Sequence, residues 1–387
     1  MTVINDVEID DIQYNKNEIK EAIINNDPID DKLHVVIVIS NPCLFARRYI
    51  LAKEFIQRIE TEETNVTLYV VELAYGDQRF LITDKNNKRH LQLRTKIPIW
   101  HKENMINLGI QKLLPSNWKA VAWIDSDIEF ENPTWALDTL KILNGSKDIV
   151  QVFSHCVDMG PIGDAMKIFS SWGYQYTKGL QYSSGTINHW HPGYGWACTR
   201  KAYDRMGGLY DKGILGSGDN IMALSFLNKG GDFALNKENS QDYKNSVKKY
   251  QKRITNMRFG YVPGVIRHYY HGSKENRKYG ERWRILVNHD YRPTDHLTYD
   301  KNGLLVPTSK CPLKMLKEIM SYFAERDEDD IYKNKDIQKL MNKMENVVAD
   351  NNVIDDVIDD DDEDDDPTNT QQQVGKILYS LLVPLSP

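Results

Sequence analysis

The sequence predicts an α/β protein built on a mixed, mostly parallel central sheet flanked by helices, with a helical extension at its C-terminal end. Three observations carry that expectation. Residues 34–40 (HVVIVIS), 65–73 (NVTLYVVEL) and 120–124 (AVAWI) are apolar without alternation, as strands buried on both faces are. Helical periodicity separates these runs, which is the βαβ signature. The third run ends directly in Asp125-Ser126-Asp127, and open α/β sheets bind ligands at the carboxyl ends of their strands.

Taken in order, residues 1–31 hold nine acids against Lys16 and Lys20 and read as an acidic arm outside the fold. The first strand stops at Ser40-Asn41-Pro42, a break that presents polar groups to a ligand. The following helix, over residues 45–59, places Ile50, Leu51, Phe55, Ile56 and Ile59 on one side. The second strand closes on Glu72. No G-x-G-x-x-G turn accompanies this βαβ opening, so a dinucleotide cofactor is not expected. Residues 76–83 offer a short strand, and residues 97–114 an amphipathic helix. Strands at 120–124 and 147–154 bracket a helix near residues 135–143, with Pro133 and Thr134 suited to its first turn.

Residues 155–192 are aromatic and without periodicity, the composition of a binding loop. Trp172, Trp190, Tyr194 and Trp196 are the acceptor-binding candidates of this region. GWACT (195–199) reads as a strand, and Gly218-Asp219-Asn220 as a helix start, where an acid serves as cap or as chemistry. A charged helix over 236–258 and strand-like residues 259–272 deliver His268 and His271 to a loop with Lys274, Arg277 and Lys278. Helices over 310–349 follow, then eleven acids within residues 350–366, a tail expected to be disordered. The expected organisation is an arm (1–31), a body (32–305, in two halves that divide between residues 154 and 155), helices (306–349) and a tail (350–387).

Composition narrows the function. A hydrophobic content of 41% and an aromatic content of 10% describe a globular chain with a sizeable core. The net charge of −6 conceals a body, residues 32–349, that carries +11. A basic body fits a phosphorylated ligand. No basic helix or zinc-ligand spacing points to nucleic acid. The four cysteines form no CxxC pair, which leaves neither a disulfide framework nor a zinc site. No signal peptide and no membrane-spanning run is legible, so a cytoplasmic location is expected. Two carboxylates one residue apart call for a compensating cation, and hard oxygen ligands suit Mg²⁺ or Mn²⁺.

HKENMINLGIQKLLPSNWKAVAWIDSDIEFENPTW (residues 101–135) resembles the donor half of animal β-galactosyltransferases, within the GT-A glycosyltransferases. Asn107, Gly109, Trp118, Asp125 and Asp127 follow that family's order, and Asp219 falls at its later acidic position, where two or three consecutive acids are usual. HYYHGSKENRKYGERWRIL also resembles uncharacterised glycosyltransferase-like proteins of phages, bacteria and giant DNA viruses, which for a viral chain would mean the host cytoplasm or the virion. The resemblance covers roughly residues 34–300 and implies an inverting, metal-dependent transfer from a nucleotide sugar, a UDP-sugar, to a glycan or other hydroxyl acceptor. Asp127, with Asp125 and with His271 or His268, would hold Mn²⁺ or Mg²⁺. Asp219 would be the base. Ser40, Asn41, Pro42, Glu72, Asn107, Asp125, Lys274 and Arg277 would meet the donor. Two readings compete: a sugar-phosphate nucleotidyltransferase, and a non-catalytic glycan-binding or virion protein.

Overall fold

The computed structural model describes residues 2–4, 7–9, 32–183, 190–232 and 238–330. Most of the acidic arm, the segment 331–349 and the acidic tail lie outside the described residues. Two short strands, β1 (Thr2–Ile4) and β2 (Val7–Ile9), form an antiparallel hairpin.

The body opens as β3 (Leu33–Ser40), α1 (Ala46–Glu62), β4 (Val66–Tyr75), β5 (His90–Thr95), α2 (Lys102–Leu113) and β6 (Ala120–Ile124). β7 (Ile128–Phe130), α3 (Trp135–Leu143), β8 (Ile149–Gln151), β9 (His155–Met159), β10 (Ala165–Ser170) and α4 (Trp172–Thr177) follow. Next come β11 (Gly195–Thr199), α5 (Arg200–Met206), α6 (Gly218–Phe226), α7 (Gln241–Ile254), β12 (Phe259–Tyr261) and β13 (Val265–His268). α8 (Arg284–Asn288), α9 (Pro293–His296), β14 (Leu297–Tyr299), β15 (Leu305–Pro307) and α10 (Leu313–Glu325) complete the described chain.

Seven strands make the central sheet, in the order β12-β8-β11-β6-β3-β4-β5. β3, β4, β5 and β6 run parallel, while β11 lies antiparallel between β6 and β8. The sheet is therefore mixed and mostly parallel, as expected. Its continuous apolar runs arise because both faces are covered. Along β3, Val36 faces one core cluster while Val35 and Ile37 face the other; along β6, Trp123 and Ala122 divide the same way. One face packs on α1 and α3, through Phe55, Ile59, Trp135 and Leu140. The other packs on α2, α6, α7 and α10. α2 comes unusually close to the sheet: a Cβ on Gly109 would lie 2.8 Å from Val71 and 2.9 Å from Val36. That approach explains the glycine.

A second, four-stranded sheet in the order β10-β9-β13-β7 stands beside the first. It corrects the expectation of an irregular loop over 155–192, much of which is a hairpin and a short helix. Residues 76–83 form no strand; β5 takes that place in the sheet, and the second of the expected strands runs on past Glu72 to Tyr75. Ile50 is 41% exposed, off the buried stripe of α1. α10 packs into the core, through Met315, Ile319 and Phe323. No helix among the described residues is long and apolar enough to cross a membrane.

Candidate metal and donor site

β6 delivers Asp125, Ser126 and Asp127 to a cleft of about 880 Å³ at the carboxyl edge of the central sheet. The second sheet brings the histidines there. β13 pairs with β7 so that His268 faces Ile128, and with β9 so that His268 faces Asp158. Tyr269 N donates to Asp127 O at 2.8 Å, which ties the end of β13 to the aspartate. The chain then turns through Tyr270 and sets His271 back over the same carboxylate.

Asp127, His268 and His271 offer three ligand atoms within 4.8 Å of one another. His271 Nε2 is 2.9 Å and His268 Nε2 3.9 Å from Asp127 Oδ2, and the two Nε2 atoms are 3.2 Å apart. Burial opposes ionisation of Asp127, but His271, His268 and Arg277 prevail and hold its carboxyl below the usual range. Burial pushes the His268 imidazole down, with Asp158 and Asp127 pulling the other way. A neutral imidazole is the ligating form. His268 Nδ1 lies 2.7 Å from Asp158 Oδ1, which fixes the tautomer with Nε2 free to ligate. Asp127 Oδ1 is buried with no hydrogen-bond partner. An orphaned carboxylate oxygen beside two imidazole nitrogens fits a divalent cation. Arg277 Nη2, 2.8 Å from His271 Nε2, has to turn aside for that nitrogen to ligate.

Asp125 stands apart from this cluster. Its Oδ1 is ion-paired with Lys102 Nζ at the start of α2. Burial raises its pKa, Lys102 opposes, and Asp127 adds to the rise. Lys102 and Glu103 were not singled out in the sequence, although both lie in the quoted motif. Glu103 is 5% exposed, and burial, with Asp219 and Asp125 nearby and Lys102 opposing, raises its pKa to about 8. It carries its proton at neutral pH. A Cβ on Gly218 would sit 2.5 Å from the Glu103 carboxyl carbon, so this acid fills the space where a side chain before Asp219 would go. Asp219 opens α6 and also lines the cleft. Its Oδ1 accepts from Asn220 N at 2.8 Å. The residue before Gly218, Ser217, is held in the left-handed region at φ +63°, with its Oγ accepting from Arg282 Nη2 at 2.8 Å.

The remaining expectations divide. Ser40, Asn41, Pro42, Lys274 and Arg277 line the cleft. The Asn41 amide, however, is committed to Phe45, accepting from its N–H at 3.0 Å and donating to its carbonyl at 2.8 Å. Lys274 is ion-paired with Asp158. Trp190 and Tyr194 line the cleft as well. Tyr194, at φ +76°, stacks on His191 and packs against the His268 ring at 4.5 Å between centroids.

Four expected site residues are not brought there. Glu72 is 2% exposed, and its carboxylate accepts from the backbone N–H groups of Leu81, Ile82 and Thr83 and from the Thr83 hydroxyl. It pins the loop after β4 rather than meeting a donor. Asn107 clamps the Gly207-Gly208 break, with Nδ2 donating to Leu209 O at 3.0 Å and Oδ1 accepting from Leu209 N at 2.8 Å. Trp172 and Trp196 are each 1% exposed and do not line the cleft. Trp172 packs edge-on to Trp190, and Trp196 lies against Phe226 and Phe259. Among the cleft residues that sequence patterns did not flag are Arg48 on α1, and Arg326 and Glu328 beyond α10. Arg48 Nη1 donates to Ser40 O at 3.0 Å.

No protein-family model matches the chain, and no curated protein matches it. Among solved structures it is similar to the catalytic domain of Drosophila β1,4-galactosyltransferase 7 in complex with xylobiose. That match has 10% identity and a TM-score of 0.35, covering 75% of this chain and 99% of that one. It is also similar to a mannosyltransferase from Pyrobaculum calidifontis in complex with GDP-Man and Mn²⁺, at 13% identity, 94% and 87% coverage, and a TM-score of 0.34. A third match is the 4-diphosphocytidyl-2C-methyl-D-erythritol synthase of Anaerococcus prevotii, at 11% identity, 76% and 96% coverage, and a TM-score of 0.30. Likenesses this slight assign neither donor nor acceptor.

Proposed function

We propose that the chain is a divalent-metal-dependent glycosyltransferase that moves a sugar from a nucleotide sugar, a UDP-sugar, to a hydroxyl acceptor with inversion. The observation that carries this reading is the Asp127, His268 and His271 cluster, with an orphaned carboxylate oxygen, in a cleft that also holds Asp219. Two nitrogens among three donors favour Mn²⁺ over Mg²⁺. When bound, the ion would neutralise charge developing on the diphosphate leaving group.

The chain's own residues do the rest. Arg277, on the cleft wall, supplies guanidinium donors for a diphosphate. Asp219 takes the proton of the acceptor hydroxyl as its oxygen attacks the anomeric carbon and the bond to the diphosphate breaks. Because Oδ1 is engaged by Asn220 N, Oδ2 is the proton acceptor. Gly193 leaves room beside it, since a Cβ there would come within 3.2 Å of Oδ2. Glu103, neutral at pH 7, keeps that corner from holding two adjacent negative charges.

A turnover screen of UDP-, GDP- and dTDP-sugars with Mn²⁺, with chelator controls, tests the class. Asp219→Asn is expected to abolish transfer while leaving donor affinity nearly unchanged, read by turnover and calorimetry. Retained turnover in that variant overturns the assignment of the base.

A further inference from the structure

The chain beyond α10 returns to the cleft, and what it carries there has no counterpart in the sequence motifs. Glu328 is 1% exposed. Its carboxylate takes a two-point contact from Arg48, through Nε and through Nη2 at 2.7 Å, and a further one from Arg326 Nη2 at 2.8 Å. Its Oε2 also lies 3.6 Å from His271 Nδ1. The residues after it pin the strap in place. Asp329 accepts the backbone N–H groups of Ala46 and Arg47, both at 2.9 Å, at the start of α1. Asp330 accepts from Tyr270 Oη at 3.0 Å and from Ser273 N at 3.3 Å. Gly272, at φ +88°, lets the histidine loop press on the strap, since a Cβ there would be 3.0 Å from Glu328 Cα.

The two histidines therefore share one construction. Each has its Nε2 toward Asp127 and its Nδ1 toward a buried carboxylate, Asp158 for His268 and Glu328 for His271. A carboxylate behind a ligating imidazole sets its tautomer and ring orientation and raises its basicity. We infer that Glu328 is the positioning residue of His271, carried to the metal site by the chain that returns after α10. Arg48 and Arg326 engage the Glu328 carboxylate through guanidinium contacts, so it is an acceptor only. Arg277 Nη2 lies 2.8 Å from His271 Nε2 and 3.2 Å from its Nδ1, so Arg277 has to turn aside for the ring to ligate through Nε2 and face Glu328 with Nδ1. The inference rests on the metal reading above.

The experiment uses the full chain, with Mn²⁺ uptake followed by electron paramagnetic resonance and the Co²⁺-loaded protein by visible absorption. Glu328→Gln and Glu328→Ala are expected to weaken Mn²⁺ binding about 10–100-fold and to change the Co²⁺ spectrum. Asp329→Asn, which loosens the strap at α1 without facing His271, is expected to lower the melting temperature while keeping Mn²⁺ affinity within about threefold of wild type. If Glu328→Ala fails to fold, Glu328→Gln carries the test. Wild-type affinity and spectrum in Glu328→Gln overturn the inference alone, as does an equal loss in Asp329→Asn, which would mean that any slackening of the strap suffices. A wild-type chain that takes up no Mn²⁺ overturns the metal reading and this inference together.

Discussion

Asp158→Asn separates a metal site from a merely polar corner. Asp158 is 2% exposed, and its two oxygens serve His268 Nδ1, at 2.7 Å, and Lys274 Nζ. Burial would raise its pKa, but His268 and Lys274 lower it to about 2, so it is a full carboxylate at neutral pH. The Lys274 side chain is 51% exposed, so that pair contributes little. What the substitution removes is one buried, charge-assisted hydrogen bond, about 1.5–3 kcal/mol. Asparagine also presents a donor to the same corner, so the imidazole is no longer held with its proton on Nδ1 and its lone pair toward Asp127. The backbone stays in place because β9 and β13 are paired along their length. Mn²⁺ affinity, measured by calorimetry, is expected to fall about 10–100-fold, with a smaller loss in melting temperature. An affinity within about twofold of wild type would refute the role of Asp158 in orienting His268.

Other outcomes follow from single groups. Glu72→Ala leaves three backbone N–H groups and the Thr83 hydroxyl without their acceptor. It should destabilise the fold by about 4 kcal/mol in denaturant melts and leave nucleotide affinity unchanged; weakened nucleotide binding in the folded variant would restore Glu72 to the donor site. His101 is 1% exposed, and burial lowers its pKa to about 4, with the Leu305 carbonyl opposing. The unfolded chain therefore binds more protons between pH 6.5 and 4, so the His101 contribution is intact above pH 6.5 and is lost on acidification, by about 3 kcal/mol. Urea melts of wild type and His101→Gln across that range should converge as pH falls; parallel curves would contradict the assignment.

The parts of the molecule that local pattern dictates were legible in advance. Unbroken apolar runs marked β3, β4 and β6, and the acid at the end of β6 marked the cleft. That Asp127, His268 and His271 would come together was also legible, because an acid after a buried strand and paired histidines in a late loop stand out by residue type. What stayed hidden depends on register and distant packing. A lone acid in HCVDM gives no sign that β9 lies beside β13, which alone makes Asp158 the partner of His268. Glu72 resembled a donor contact because strand ends commonly meet ligands, yet the loop after it folds back and consumes both oxygens. Trp172 and Trp196 look the same in sequence whether they face a sugar or the core. Glu328 is just over two hundred residues from β6 and reaches the cleft because α10 packs into the core and the chain turns back toward α1. The helix start at Gly218-Asp219-Asn220 was readable, but not that Glu103 fills the space beside Gly218.

The most direct measurement is calorimetric titration of UDP into wild type and Asp127→Ala, each with Mn²⁺ and with chelator. The account predicts Mn²⁺-dependent binding in wild type that chelation abolishes, and binding in Asp127→Ala weaker by about 100-fold or more and insensitive to Mn²⁺. Equal affinity in all four titrations would contradict it.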